Sequence, residues 1–163
     1  MIHQLHFEAH FVRPALNQIA AFDERLASEP SVNLMMGTAA QESDLGFFLR
    51  QHPTGPGKGF WSVEDATHDD VWRYLRRDSN AELARRVLAL ARHKTDRPPH
   101  TELITNPLYS CAIVRIKYWM RPEPIPATLE GQADYWDWYY NCNDNHGTPE
   151  QYLDSYRKFV LRQ

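Results

Sequence analysis

The chain is short of most features that would narrow its function quickly. It has two cysteines in 163 residues, Cys111 and Cys142. That is too few for the disulfide framework of a small secreted scaffold, nothing requires them to pair, and both are expected as reduced, buried thiols. No window approaches the ~18 apolar residues that a membrane span needs. The opening MIHQLHFEAHFVRPALNQIA has no basic segment followed by an apolar run, so no secretory signal is expected either. An excess of positive charge is missing too: 18 Lys and Arg stand against 21 Asp and Glu, a formal charge of -3. Without a basic block there is no footprint for phosphate, which argues against nucleic acid as a partner. Repeats, low-complexity tracts and strand alternation are lacking as well. What is there, 42% hydrophobic, 12% aromatic and 24% charged, is the composition of a globular domain, and the length suits one domain, residues 1–163, with its own core.

Helical spacing recurs instead of alternation. Arg13 to Leu26 carries Leu16, Ile19, Ala20 and Phe22 or Leu26 at helical intervals, and Val32 to about Leu45 forms a second such segment. Thr67 is a plausible cap for a third, with Asp69 and Asp70 in its first turn, where the helix dipole favours acids. Ser79 and Glu82 have capping-box spacing before an apolar face of Leu83, Val87, Leu88 and Ala91. PLYSCAIVRIKYWM reads as a largely buried helix, stopped by Pro122, Pro124 and Pro126, which impose an extended connection. An aromatic helix follows around QADYWDWYYN. TPEQ then opens the last one, with Thr148 as cap, Pro149 at the first helical position and Gln151 at the box position; Tyr152, Tyr156 and Phe159 line its inner face. The expectation is a mainly α domain of six to seven helices. Its longest irregular loop, between Gly46 and Gly59, has room for a short hairpin.

One carboxylate sits where an apolar side chain belongs. In GTAAQESDLG, Met35, Ala39, Glu42 and Gly46 fall on one helix face. A Glu near the end of such a stripe is pushed towards its protonated form by partial desolvation and by the negative end of the helix dipole. A protonated Glu near neutral pH is what a general acid for glycosidic cleavage requires. The bland alternative is a Glu simply exposed at a helix end.

Two further stretches follow in order. GKGFWSVEDATHDD holds Gly59-Phe60-Trp61-Ser62 followed by Ala66-Thr67, and WYYNCND holds Tyr140-Asn141. Together with Glu42-Ser43 these resemble the three motifs of the lysozyme-like lytic transglycosylases of the soluble type: Glu-Ser at a helix end, Gly-x-x-Gln before a Pro-Ala-Thr-like helix start, and Tyr-Asn in a small-residue context. The resemblance runs over roughly residues 33–160. Gly147 to Glu150 and KYWMRPEPIPA are similar to phage-encoded members. Two departures stand out: Ser62 replaces the usual Gln, and Cys142, Asn143 and Asp144 replace the small residues after Tyr-Asn.

The resemblance implies an enzyme that cleaves the β-1,4 bond between N-acetylmuramic acid and N-acetylglucosamine in peptidoglycan, without a cofactor. Glu42 would be the acid and then the base on the muramic acid 6-hydroxyl, closing a 1,6-anhydro ring. Tyr140 would reach the Glu42 carboxylate with its hydroxyl and orient it. Ser43, Ser62 and Asn141 would contact the glycan, and Phe60, with Trp61, would form part of a sugar-stacking wall. A muramidase acting by hydrolysis would need a second carboxylate, and Glu64 is the acid placed to face the cleft. Synthesis in a host cytoplasm and action at the cell wall, or within a virion or tail, are implied. The rival reading is a non-catalytic virion or tail module that keeps the fold to bind glycan or to build structure.

Other chemistries find little support. Tyr135, Trp136, Trp138 and Tyr139 read as core. No metal site is expected: the histidines form no tight pair with a carboxylate, apart from His3 and His6 near the chain start, and His68 with Asp69 and Asp70 reads as a solvated helix start. A serine nucleophile lacks its Gly-x-Ser-x-Gly elbow.

Overall fold

The computed structural model describes residues 2–50, 55–142 and 147–163. Pro53, Asn143 and Asp144 lie outside them. The domain is mainly α, and eight helical segments are formed by the described residues. Helix α1 is a continuous run built of Gln4–Phe7, a wider π-type stretch Glu8–Val12, and Arg13–Ala20. It is followed by a 3-10 turn, Glu24–Ala27, where the sequence suggests one helix to Leu26. Helix α2 is Glu29–Ser43, α3 Asp65–Leu75, α4 Ala81–Leu90, α5 the single turn Glu102–Thr105, and α6 Pro107–Trp119. Helix α7, Leu129–Trp136, runs on into a π-type stretch Asp137–Asn141, and α8, Pro149–Ser155, into Tyr156–Leu161.

Local chemistry decides where these helices begin. Ser28 accepts from the Ser31 N–H and starts α2 ahead of Val32, with a proline tolerated in its first turn. Helix α3 starts at Asp65 from an extended Glu64, so Thr67 is not its cap and Asp65, rather than Asp69 or Asp70, occupies the first turn. The Ser79–Glu82 box does not form. Asp78–Asn80 makes a 3-10 turn instead, and Glu82 pairs with Arg85 at 2.8 Å and Arg86 at 2.7 Å. The Thr148–Gln151 box forms as its spacing indicates.

Helices α2 and α6 are buried on nearly all sides and make the centre of the core. In α6, Tyr109 to Ile116 and Tyr118 are all buried, as expected for a helix that is apolar around its whole circumference. The other helices surround this pair. The loop after α2 forms no strand among its described residues; isolated antiparallel bridges link Lys58 to Arg50 and to Val63. Gly59 is fixed there by geometry: its φ is +73°, and a Cβ would fall 1.9 Å from the Leu103 carbonyl oxygen.

Candidate active site

Glu42 occupies the last turn of α2. The chain turns away immediately after it: Asp44 and Leu45 both adopt φ 51° and Gly46 φ 82°. The fully buried Leu45 side chain holds this left-handed corner in place. Glu42 itself is partly buried. Burial raises its pKa to about 7, against the opposing pull of a hydrogen bond from Trp136 and of the Lys117 charge. The indole Nε1 of Trp136 donates to Glu42 Oε1 at 3.1 Å. Lys117, from α6, places its Nζ 3.9 Å from the centre of the Tyr140 ring and donates to the Tyr140 carbonyl at 3.2 Å. Burial lowers the pKa of this ammonium, and the negative charge of Glu42 is among the groups that oppose the shift.

The three sequence segments meet through direct hydrogen bonds. Ser43 Oγ donates to the Phe60 carbonyl at 2.7 Å and accepts the Gly46 N–H at 3.0 Å. Ser62 Oγ donates to the Glu42 backbone carbonyl at 3.2 Å. The Tyr140 hydroxyl donates to the Trp61 carbonyl, and Trp61 Nε1 donates to the Met35 carbonyl at 2.9 Å. Residues 59–62 are therefore clamped between the end of α2 and the π-type stretch after α7. Each clamp ties a side chain to a backbone carbonyl of another segment.

Several expected roles change in this geometry. Phe60 is no stacking wall: it is 6% exposed and packs on Phe7 and Phe11, with ring centres 5.1 and 6.0 Å away. The aromatic core at the α1 face takes it in because Gly46 offers no side chain to block the ring. Tyr140 is buried and spends its hydroxyl on Trp61 rather than on the Glu42 carboxylate. Asn141 Nδ2 donates to Asp137 Oδ1 at 2.8 Å and to the Gly147 carbonyl at 3.1 Å. Glu64 is exposed at the start of α3, close enough for its charge to act on Lys117 and Tyr140. Trp138 is 67% exposed rather than core, and Cys142 is an exposed thiol while Cys111 is buried.

Two residues at Glu42 were not singled out by their sequence context. Trp136 reads as core and is 1% exposed, yet its one polar atom is aimed at the carboxylate. Lys117 carries the signal that marks Glu42, a charge inside an apolar helix, and could have been found by it. Gly147 lies against Trp136, where a Cβ would come within 2.8 Å of the indole. A concavity of about 430 Å³, bounded by Arg25, Arg115, Trp119 and Tyr135 among others, does not include Glu42. Another of about 370 Å³ borders the end of α2 through Gln41 and Asp44.

The expected solvated helix start at His68 is also overturned. Its side chain is fully buried, and with Asp69 and His100 it forms a compact group of metal-binding atom types. No family model, curated protein or solved structure matches the chain.

Proposed function

We propose that the chain is a phage-encoded, peptidoglycan-cleaving glycosidase, a lytic transglycosylase or muramidase with Glu42 as its acid. The observation that carries this reading is the Glu42 carboxyl, held by burial at a pKa of about 7 where the three motif segments join. Near neutral pH a large fraction of such a carboxyl is protonated, so it can deliver a proton to the leaving oxygen of a glycosidic bond. The anion left behind is supported by the Trp136 N–H and the Lys117 charge. It can then accept a proton from the muramic acid 6-hydroxyl, which attacks the anomeric carbon, or from water. Ring closure needs no second carboxylate. Hydrolysis does, and the exposed Glu64 is the candidate.

A specific observation favours the second reading, a virion or tail module without activity. The Ser43, Ser62, Tyr140 and Asn141 side chains are all bonded within the protein, so the motif residues already have structural employment. Mass spectrometry of purified peptidoglycan treated with wild-type protein and with Glu42→Gln separates the readings. Anhydro-muropeptides lost in Glu42→Gln indicate a transglycosylase, and reducing-end products lost in Glu64→Gln a hydrolase. No products from folded protein on several wall types would leave the binding or structural module.

A further inference from the structure

We propose that His68, Asp69 and His100 form a binding site for a divalent transition-metal ion of the zinc type, which ties the start of α3 to the connection 91–101. The proposal is independent of the reading of Glu42.

His68 poses the problem that the ion solves. Its Nε2 lies 2.6 Å from the Tyr109 hydroxyl, which also receives the Trp72 indole N–H at 2.7 Å. The other ring nitrogen, Nδ1, is buried with no hydrogen-bond partner. It faces Asp69 Oδ1 at 3.6 Å. Neither tautomer satisfies that contact. A lone pair on Nδ1 would face a carboxylate oxygen, and an N–H would be too far from its acceptor for a hydrogen bond. A cation between the two atoms satisfies both.

The remaining atoms are placed to complete its shell. His100 Nε2 is 2.8 Å from Asp69 Oδ1, and all three ligand atoms lie within 4.8 Å of one another. Ligands about 2.0–2.1 Å from a tetrahedral zinc ion stand about 3.3 Å apart. Two of the three edges, 3.6 and 2.8 Å, bracket that value. An outer contact suits ligation too. His68 Nε2 lies 2.6 Å from the Tyr109 hydroxyl oxygen, which accepts its N–H in the tautomer that leaves Nδ1 free to ligate.

Two cations border the group. Arg97 Nη1 donates to Asp69 Oδ1 at 2.8 Å, and Lys58 pairs with Asp65. Arg97 is exposed and can swing out as the ion arrives. The partly exposed Asp69 and His100 leave water to fill the fourth position. The connection is already held at its other end, where the buried Glu102 carboxylate accepts the Arg92 and His93 backbone N–H groups at 2.9 and 2.6 Å. The ion would close the remaining end.

The test is titration of metal-stripped protein with Zn²⁺ by calorimetry and with Co²⁺ by visible absorption. One equivalent should bind, with the intense d–d bands of a four- or five-coordinate cobalt ion, and should raise Tm. Asp69→Asn and His100→Ala, both at partly exposed positions, should each weaken binding more than tenfold while the metal-free fold, followed by circular dichroism, stays intact. The His3 and His6 rings, with centres 5.6 Å apart, are a competing place for zinc, and His3→Gln/His6→Gln should leave the titration unchanged. Absence of a stoichiometric site, or one that survives His100→Ala and vanishes in His3→Gln/His6→Gln, overturns the proposal.

Discussion

Trp136 and Glu42, 94 positions apart in the chain, are joined by an indole N–H that donates to Oε1 across 3.1 Å. The bond favours the anion, whereas burial of the same carboxyl favours the acid, and burial prevails. The result is a group that titrates near neutrality with a donor already aimed at its charged form. A proton donor that must also accept a proton later in the cycle needs both properties.

On the proposed reading as a glycan-cleaving enzyme, Glu42→Gln should lower kcat by about 10²–10⁴-fold, the usual contribution of a general acid. In the wild-type protein kcat/KM should fall as pH rises through about 7, where the carboxyl loses its proton. Rates of muropeptide release across pH check both statements. An activity independent of pH in that range would remove Glu42 from the proton-transfer step.

Trp136→Phe and Lys117→Met each remove support for the Glu42 anion, one a hydrogen bond and the other a charge. Both should move the falling limb to higher pH. The order of influence predicts the larger displacement for Trp136→Phe. The same shift should appear in the pH dependence of the Glu42 carboxyl resonance in 13C NMR, a readout that needs no turnover.

Much of this arrangement was legible in the chain, and the reasons for the rest are physical. Helical spacing gave the mainly α architecture, and Thr148 with Gln151 gave a true capping box because both partners of the motif lie within one turn. Thr67 and Ser79 misled because a cap depends on where the backbone leaves the extended region, and Glu64 and the turn Asp78–Asn80 decide that here. Glu42 announced itself as a charge on an apolar stripe. Lys117 carries the same signal, on a helix buried around nearly its whole circumference, and the motif comparison passes over it. Phe60 and Tyr140 could not be placed from spacing, since their partners, Phe7 at one end of the chain and the Trp61 carbonyl in a distant loop, are tertiary. His68 was hidden for the same reason: a polar HDD run looks solvated until Tyr109, 41 positions away, closes over it.

The raised Glu42 pKa also has a consequence for stability. Below the ordinary value of 4.5 the carboxyl is protonated in both folded and unfolded chains, and it costs nothing there. Between 4.5 and about 7 the folded state holds a proton that the unfolded state has released, so stability falls as pH rises through this window. Above it the full cost, up to about 3 kcal/mol, is present. Glu42→Gln should then be as stable as wild type near pH 4 and more stable at pH 8. Urea unfolding at the two pH values measures the difference, and equal stabilisation at both would assign it to packing instead of ionisation.

Tyr140→Phe distinguishes a tyrosine that builds the site from one that takes part in its chemistry. The ring should keep its place between the Lys117 ammonium, 3.9 Å from its centre, and Tyr118, with ring centres 5.5 Å apart. Only the hydroxyl goes, and with it the bond to the Trp61 carbonyl. Leaving that carbonyl without its donor should cost about 1–3 kcal/mol of stability. It should also loosen residues 59–62, which hydrogen exchange at the Ser62 and Val63 amides would report. The falling limb near pH 7 should stay where it is, because the tyrosine is neutral there and gives no bond to the Glu42 carboxyl. A variant of unchanged stability whose limb moves would instead mean that the hydroxyl turns to Glu42 once glycan is bound.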